Sequence, residues 1–181
     1  MTSKIEVTTL GAMGWDEVDD SACPVARALA VVGDRWTLLI LRELFFGTHR
    51  FDDLQALTGA SSHLLATRLR RLEEDGVVAR RQYNDRPPRY EYTLTPKGRD
   101  LQPVMFALRS WGAKWHARSS KEEPALSLVH ASCGAPVEAA MICPSCGEPC
   151  TNADLRASFG KTFAAERRAR LEAFQARKRS D

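Results

Sequence analysis

At 181 residues the chain suits one domain with a small appendage, and 44% hydrophobic with 27% charged residues is ordinary for a globular protein. It contains no run of eighteen apolar residues, and its N-terminus lacks the basic and apolar regions of a signal peptide, so no membrane partner is expected. A cytoplasmic location is predicted. There the five cysteines should be thiols or metal ligands rather than disulfides.

Charge is distributed unevenly along the chain. The net charge of the whole chain is +3. Residues 1–22 carry a net charge of −4, residues 61–99 carry +4 and residues 155–181 carry +5. Two basic regions are typical of a protein that binds a polyanion. A run of charge is also what an ordinary solvated surface shows, so the pattern supports DNA binding without establishing it.

The first half of the chain predicts helices after an acidic arm. Residues 1–20 have little to bury and are predicted to be disordered. Pro24 suits the first turn of a short helix that ends at Gly33. The next segment, W-T-L-L-I-L-R-E-L-F-F, is apolar almost all round and is predicted to be the buried centre of the domain. A third helix begins at Arg50.

A short turn, Thr58-Gly59-Ala60, joins the third helix to a fourth over residues 61–76. Ser61 is a good N-cap, and Leu65, Leu69 and Leu72 form one apolar stripe. Helix, glycine-containing turn and helix predict a helix-turn-helix unit whose second helix enters the major groove of DNA. The alternative is an ordinary surface helix. The outer and flanking positions, predicted to contact DNA, are Ser62, His63, Ala66, Thr67, Arg70 and Arg71.

A predicted β-hairpin follows the fourth helix. V-V-A-R-R-Q-Y and Y-E-Y-T-L read as strands, with N-D-R-P-P-R as the turn between them. A hairpin directly after a helix-turn-helix unit is a wing. Its Arg81, Arg86 and Arg89 are predicted to contact phosphates or the minor groove.

These residues together resemble the HxlR-type winged helix-turn-helix transcriptional regulators. The resemblance lies in C-P-V-A-R-A-L at 23–29, G-D-R-W-T-L-L-I-L-R-E-L at 33–44 and R-F-D-D-L at 50–54. It continues in L-L-A-T-R-L-R-R-L-E-E-D-G-V-V at 64–78, Y-T-L-T-P-K-G at 92–98 and W-G-A-K-W at 111–115. It implies a mostly helical α+β domain over residues 21–118 that binds operator DNA. It also implies a homodimer whose two copies associate through a C-terminal helix.

A long helix from Thr95-Pro96 agrees with that implication. Its apolar side is more than a thin helix can bury on a small winged domain, so a partner surface is one interpretation and packing on its own domain is the other. The residues along that side are Leu101, Val104, Met105, Leu108, Trp111 and Trp115.

A Cys-rich appendage is predicted over residues 125–152. His130 with Cys133, and Cys143 with Cys146, are two pairs of ligands two residues apart, each followed by glycine. Two such turns brought together complete a tetrahedral zinc site, so a structural zinc in a zinc-ribbon-like hairpin is predicted. Cys150 competes as a ligand, and the alternative is a hairpin of free thiols. Residues 153–181 are predicted to form a basic amphipathic helical tail.

Cys23 stands apart from the other cysteines. It precedes Pro24 at the N-cap of the first helix, where the helix dipole would favour the thiolate. The resemblance makes Cys23 a candidate sensor of oxidants or electrophiles. The alternative is a small apolar residue packed near the dimer contact.

The predicted function is therefore sequence-specific DNA binding by a homodimeric transcriptional regulator, with repression as the expected mode of control. A response to an oxidant, an electrophile or a small-molecule effector is also expected. The alternative is a thiol-based redox or protein-interaction protein that uses the C-terminal cysteines. An enzyme is not expected, because the sequence shows no Ser/His/Asp arrangement, no glycine-rich phosphate loop and no paired carboxylates in an apolar setting.

Overall fold

The computed structural model describes residues 20–116, 126, 128–137, 139–149 and 154–180. The helices are α1 (Pro24–Val32), α2 (Arg35–Phe45), α3 (Phe51–Thr58), α4 (Ser62–Glu74), α5 (Pro96–Arg99), α6 (Gln102–Trp115) and α7 (Lys161–Ser180). The strands are β1 (Val78–Asp85) and β2 (Pro88–Leu94), which pair antiparallel. This confirms the mostly helical α+β class. The predicted acidic arm, apart from Asp20, and Cys150 lie outside the described residues.

The chain divides into two compact units. One contains α1 and α7, and the other contains α2–α6, the two strands and the Cys-rich appendage. No helix in the described ranges is both long and apolar enough to cross a bilayer.

In the first unit a carboxylate of α7 meets the N-terminus of α1. The Ser21 hydroxyl donates to Glu166 Oε1 at 2.8 Å, and the Ala22 backbone N–H donates to Glu166 Oε2 at 2.8 Å. The hydrogen bond from Ser21 and then that from Ala22 hold the pKa of Glu166 below its ordinary value. Glu166 also pairs with Arg170 one turn later on α7.

The core of the second unit is built around one face of α2. Ile40 and Leu41 are fully buried, and α2 packs against α3, α4, β2 and α6. The sequence predicted that this helix is buried almost all round, but only one face of it is buried. Leu38 and Leu39 are half-exposed, and Phe46 is exposed. The other large, fully buried core side chains are Leu54, Leu65, Leu69, Leu72, Val77 and Val78.

The predicted long helix from Pro96 is wrong, because it is two helices. The short α5 ends at Arg99, and α6 begins at Gln102 with Pro103 in its first turn. A proline at this position has no N–H to donate to the carbonyl of Arg99, and its ring would clash with that carbonyl in a continuous helix. Proline is favourable in a first turn, so the chain breaks and restarts there.

The wing is longer than predicted, and its turn is shorter. Strand pairing extends to Asp85 opposite Pro88, with an irregularity between Gln82 and Asn84. The backbone N–H of Tyr92 donates to the His49 carbonyl at 2.8 Å, which joins the wing to the segment between α2 and α3. The hairpin is therefore attached to the helix-turn-helix unit at its base.

Candidate nucleic-acid interface

The turn between α3 and α4 is stabilised by local hydrogen bonds. Gly59 has a left-handed φ of 72°, and the Thr58 hydroxyl donates to the Leu54 carbonyl at 2.6 Å. Ser61 then caps α4, since its hydroxyl accepts from the Leu64 N–H at 3.3 Å. The predicted cap is confirmed, and it satisfies a backbone donor that the first turn leaves unpaired.

The leucine stripe orients α4. Leu65, Leu69 and Leu72 are at most 1% exposed, so the opposite side of the helix faces solvent. Ala66 is half-buried at the edge of that side. The exposed residues predicted to contact DNA are Ser62, His63, Thr67, Arg70 and Arg71.

Two of these side chains already have local partners. The Thr67 hydroxyl donates to the His63 carbonyl at 2.9 Å, which leaves its oxygen free to accept. Arg71 Nε lies 4.0 Å from Asp75 Oδ2, at the outer limit of an ion pair. The helix therefore presents short polar groups and the guanidinium of Arg70 on one face, a combination suited to base edges.

Polar side chains order the tip of the wing. Asn84 Nδ2 donates to the Pro87 carbonyl at 2.9 Å, and Gln82 Nε2 donates to Asp85 Oδ1 at 2.9 Å. Arg86 and Arg89 are exposed at this tip. Arg81 is also exposed, but its Nη2 lies 3.4 Å from Glu91 Oε2. Arg86 and Arg89 are thus better placed than Arg81 to meet a phosphate.

The sequence interpretation missed the cation–π contacts of the wing. The Arg80 guanidinium lies 4.2 Å from the centre of the Tyr90 ring, and that of Arg50 lies 5.3 Å from the Tyr83 ring. Arg80 also pairs with Glu73 of α4 at 3.9 Å. The contact of Arg50 joins the wing to the start of α3, and the pair of Arg80 with Glu73 joins it to α4. The presence of both arginine and tyrosine in each strand was the signal available.

The Cys-rich appendage contains two turns of the same shape. His130 Nδ1 lies 3.3 Å from Cys133 Sγ, and Gly134 and Gly147 both adopt positive φ, 70° and 75°. In the second turn, hydrogen bonds from the backbone N–H groups of Cys146 and then Ser145 lower the pKa of Cys143. Backbone donors aimed at a sulfur stabilise the thiolate that a metal requires.

The four predicted ligands are not brought together. Among the described residues no group of three or more His, Cys, Asp or Glu side chains is close enough to hold a metal ion. The structure therefore provides two half-sites with suitable donors rather than one assembled site. Cys150, the competing ligand, is outside the described range. Zinc binding remains a prediction.

Cys23 occupies the N-cap of α1, as predicted, and is half-buried. Its side chain makes no capping hydrogen bond. The Glu166 carboxylate accepts from the two residues immediately before it, which places a negative charge near this helix end.

The chain is similar to known transcriptional regulators. The family model described as HxlR-like helix-turn-helix matches residues 31–120. The uncharacterised HTH-type transcriptional regulator Rv3095 of Mycobacterium tuberculosis is 42% identical over 142 residues, 78% of this chain and 89% of the relative. A span of that length must extend beyond residue 118, so the similarity includes part of the segment after the winged domain.

Solved structures agree with these relatives. The crystal structure of PA1607, a candidate transcription factor, is 37% identical with a TM-score of 0.69, and it covers 78% of this chain and 98% of its own. The reduced form of the redox regulator HypR is 32% identical with a TM-score of 0.50, over 52% of this chain and 95% of its own.

Proposed function

The chain belongs to the HxlR-like helix-turn-helix family of transcriptional regulators, and we propose that it binds operator DNA sequence-specifically as a homodimer. The observation that carries this proposal is the exposed polar face of α4 beside an ordered wing that bears arginines. Repression is the proposed mode of control, because a dimer seated on a promoter blocks access to it.

The geometry supports a division of roles on DNA. The exposed face of α4 carries His63, Thr67 and Arg70, which can donate to or accept from base edges in the major groove. The wing tip carries Arg86 and Arg89, which suit phosphates or the minor groove. Base contacts would then specify the site, and phosphate contacts would position the protein.

The direct test is retardation of DNA from the promoter region next to the protein's own coding sequence. We expect binding that weakens steeply with salt and resists an excess of random competitor DNA. Equal displacement by random and promoter DNA would contradict sequence-specific binding. It would favour a protein-interaction or thiol-based redox role for the winged fold and its cysteines.

Dimerisation is proposed through α6. Val104, Leu108, Trp111 and Trp115 follow one another at spacings of four, three and four residues, which is the spacing of a helix-pairing seam. All four are exposed, Trp115 to 64%, and no residue of α6 is buried. A second copy of the same helix would cover this stripe.

We further propose that Cys23 senses oxidants or electrophiles. The support is its position at the start of a helix with no capping bond, together with the likeness to a named redox regulator. Treatment with diamide should release wild-type protein from DNA and leave the Cys23→Ser variant bound. Equal release of both would instead implicate the cysteines of the appendage.

A further inference from the structure

A largely apolar cavity lies between α2, α6 and the start of the appendage. Its volume is about 370 Å³, within the roughly 300–1,000 Å³ typical of small-molecule sites. The apolar side chains that line it include Leu38, Leu39, Phe45, Met105, Phe106 and Leu128. None of these residues belongs to the DNA-binding face or to the metal half-sites described above.

Two arginines reach the wall of the cavity, but their surroundings differ. Arg42 is engaged by the buried carboxylate of Glu43, with Nη2 at 2.5 Å and Nε at 2.7 Å from Oε1. Arg109 Nη2 donates to the neutral Leu126 carbonyl. Arg109 has no acidic partner among the described residues, so nothing in the described lining of this largely apolar cavity balances its charge.

The Nε group of Arg109 also favours an anionic ligand. It is buried and has no hydrogen-bond partner among the described residues. A buried donor without an acceptor is costly, and a ligand oxygen would remove that cost. A carboxylate would satisfy both the donor and the charge.

The cavity is separate from the proposed dimer stripe. Gln102, Met105, Phe106 and Arg109 line it at spacings of three, one and three residues, and they occupy a different face of α6 from the stripe Val104–Trp115. Only Leu108 belongs to both sets. A dimer formed through the stripe therefore leaves the cavity accessible to a small molecule.

We propose that this cavity binds a small apolar carboxylate, such as an aromatic acid of one or two rings, with the carboxylate on Arg109. Its regulatory consequence rests on the proposed DNA-binding function. The same α2 that forms one wall also packs against α4. A ligand wedged between α2 and α6 would thereby change the position of α4 relative to the dimer helix.

The test measures binding first without DNA. Calorimetry of the full chain should show saturable binding of 2-naphthoate and at least about tenfold weaker binding of the uncharged 2-naphthamide. Arg109→Met should lose a similar factor for 2-naphthoate only. The matched control is Arg99→Met, because Arg99 also donates to one backbone carbonyl, that of Leu94 at 2.8 Å, and does not line the cavity.

Unchanged binding of 2-naphthamide by Arg109→Met shows that this variant is folded, and a second variant tests the cavity itself. Leu39→Trp fills the cavity while keeping Arg109, and it should abolish binding of both compounds. Absence of 2-naphthoate binding by wild type, equal affinity for the amide, or equal loss in Arg99→Met would overturn the proposal. Failure of the proposed function would look different, since 2-naphthoate would then bind normally while promoter DNA did not bind at all.

Discussion

At the scale of single residues, Arg70 and Arg89 allow a test of the proposed division between base reading and phosphate anchoring. Arg70 lies on the exposed face of α4, and Arg89 lies near the tip of the wing. Arg70→Ala should cost roughly 1–3 kcal/mol on the specific site and relax specificity at one base position. Arg89→Ala should weaken binding to all sequences alike and reduce the salt slope by about 1.

Fluorescence anisotropy with promoter and random duplexes at several salt concentrations distinguishes the two. Arg99→Ala, an exposed arginine of α5, serves as the control. The same loss on both duplexes for Arg70→Ala would show that Arg70 anchors phosphates as well.

Glu166 gives a prediction for pH. Because its pKa in the folded chain is depressed by the Ser21 and Ala22 hydrogen bonds, its contribution to stability is present above the pKa of the unfolded chain. That contribution is lost as pH falls through the depressed folded pKa. The Ala22 amide resonance should therefore shift on acidification in an NMR titration, with a midpoint below that of an ordinary glutamate.

Glu166→Gln should remove this titration, whereas Glu172→Gln on the same helix should not. Glu172 is exposed, and the Ala22 N–H donates to Glu166 instead. A shift of the Ala22 amide that persists in Glu166→Gln would assign it to another group.

At the scale of elements, Gly98 explains how α5 packs under the wing. A Cβ at this position would lie 2.2 Å from the Val77 carbonyl oxygen, which is backbone and cannot move away easily. Gly98→Ala should therefore cost roughly 1–3 kcal/mol, in the range of overpacked cores. Gly112→Ala is the matched control, because a Cβ there meets nothing within 4 Å and alanine is favoured in a helix.

Urea unfolding of the two variants measures both values. Similar stability of Gly98→Ala and wild type would mean that α5 can shift away from Val77.

The appendage is the second element with a testable property. About one zinc per chain should be held by His130, Cys133, Cys143 and Cys146, since a glycine with positive φ follows each pair and His130 Nδ1 already lies 3.3 Å from Cys133 Sγ. Chelation should loosen this segment and leave the winged core folded, because the buried core contains none of the four. Elemental analysis measures the metal, and Cys143→Ser should lower it.

Protein purified without metal depletion that carries no zinc would contradict this prediction. Full zinc content in Cys143→Ser, with loss in Cys150→Ser, would instead assign the fourth ligand to Cys150.

At the scale of the whole molecule, the stripe on α6 sets the expected assembly. Leu108→Glu would place a charge on the proposed seam and should convert a dimer to a monomer in sedimentation experiments. Leu108→Glu should also weaken DNA binding, because one dimer reads the two half-sites. Ala113→Glu, which places the same charge on an exposed residue of α6 outside the stripe, should leave the dimer intact.

A wild-type protein that sediments as a monomer at micromolar concentration would rule out the dimer. Partly palindromic operators with half-sites about one helical turn apart, or a multiple of that distance, are expected if the dimer holds.

The sequence by itself determined the helix-turn-helix unit and the wing, because their signals are local. The leucine stripe of α4, its Ser61 cap and the turn at Gly59 act within a few residues and need no distant partner. The exposed face of α4 follows from the stripe. The wrong prediction of one long helix from Pro96 overlooked a local signal as well, since Pro103 marks the break.

The tertiary structure alone decided which distant residues meet. The cavity joins side chains of α2, α6 and the appendage that are far apart in sequence, and this packing buries the Arg109 Nε, which has no hydrogen-bond partner in the described part of the chain. The hydrogen bond between Ser21 and Glu166 joins residues that are 145 positions apart in the sequence. Periodicity and capping report only neighbours along the chain, so contacts of this kind, and the separation of the two cysteine turns, required the fold.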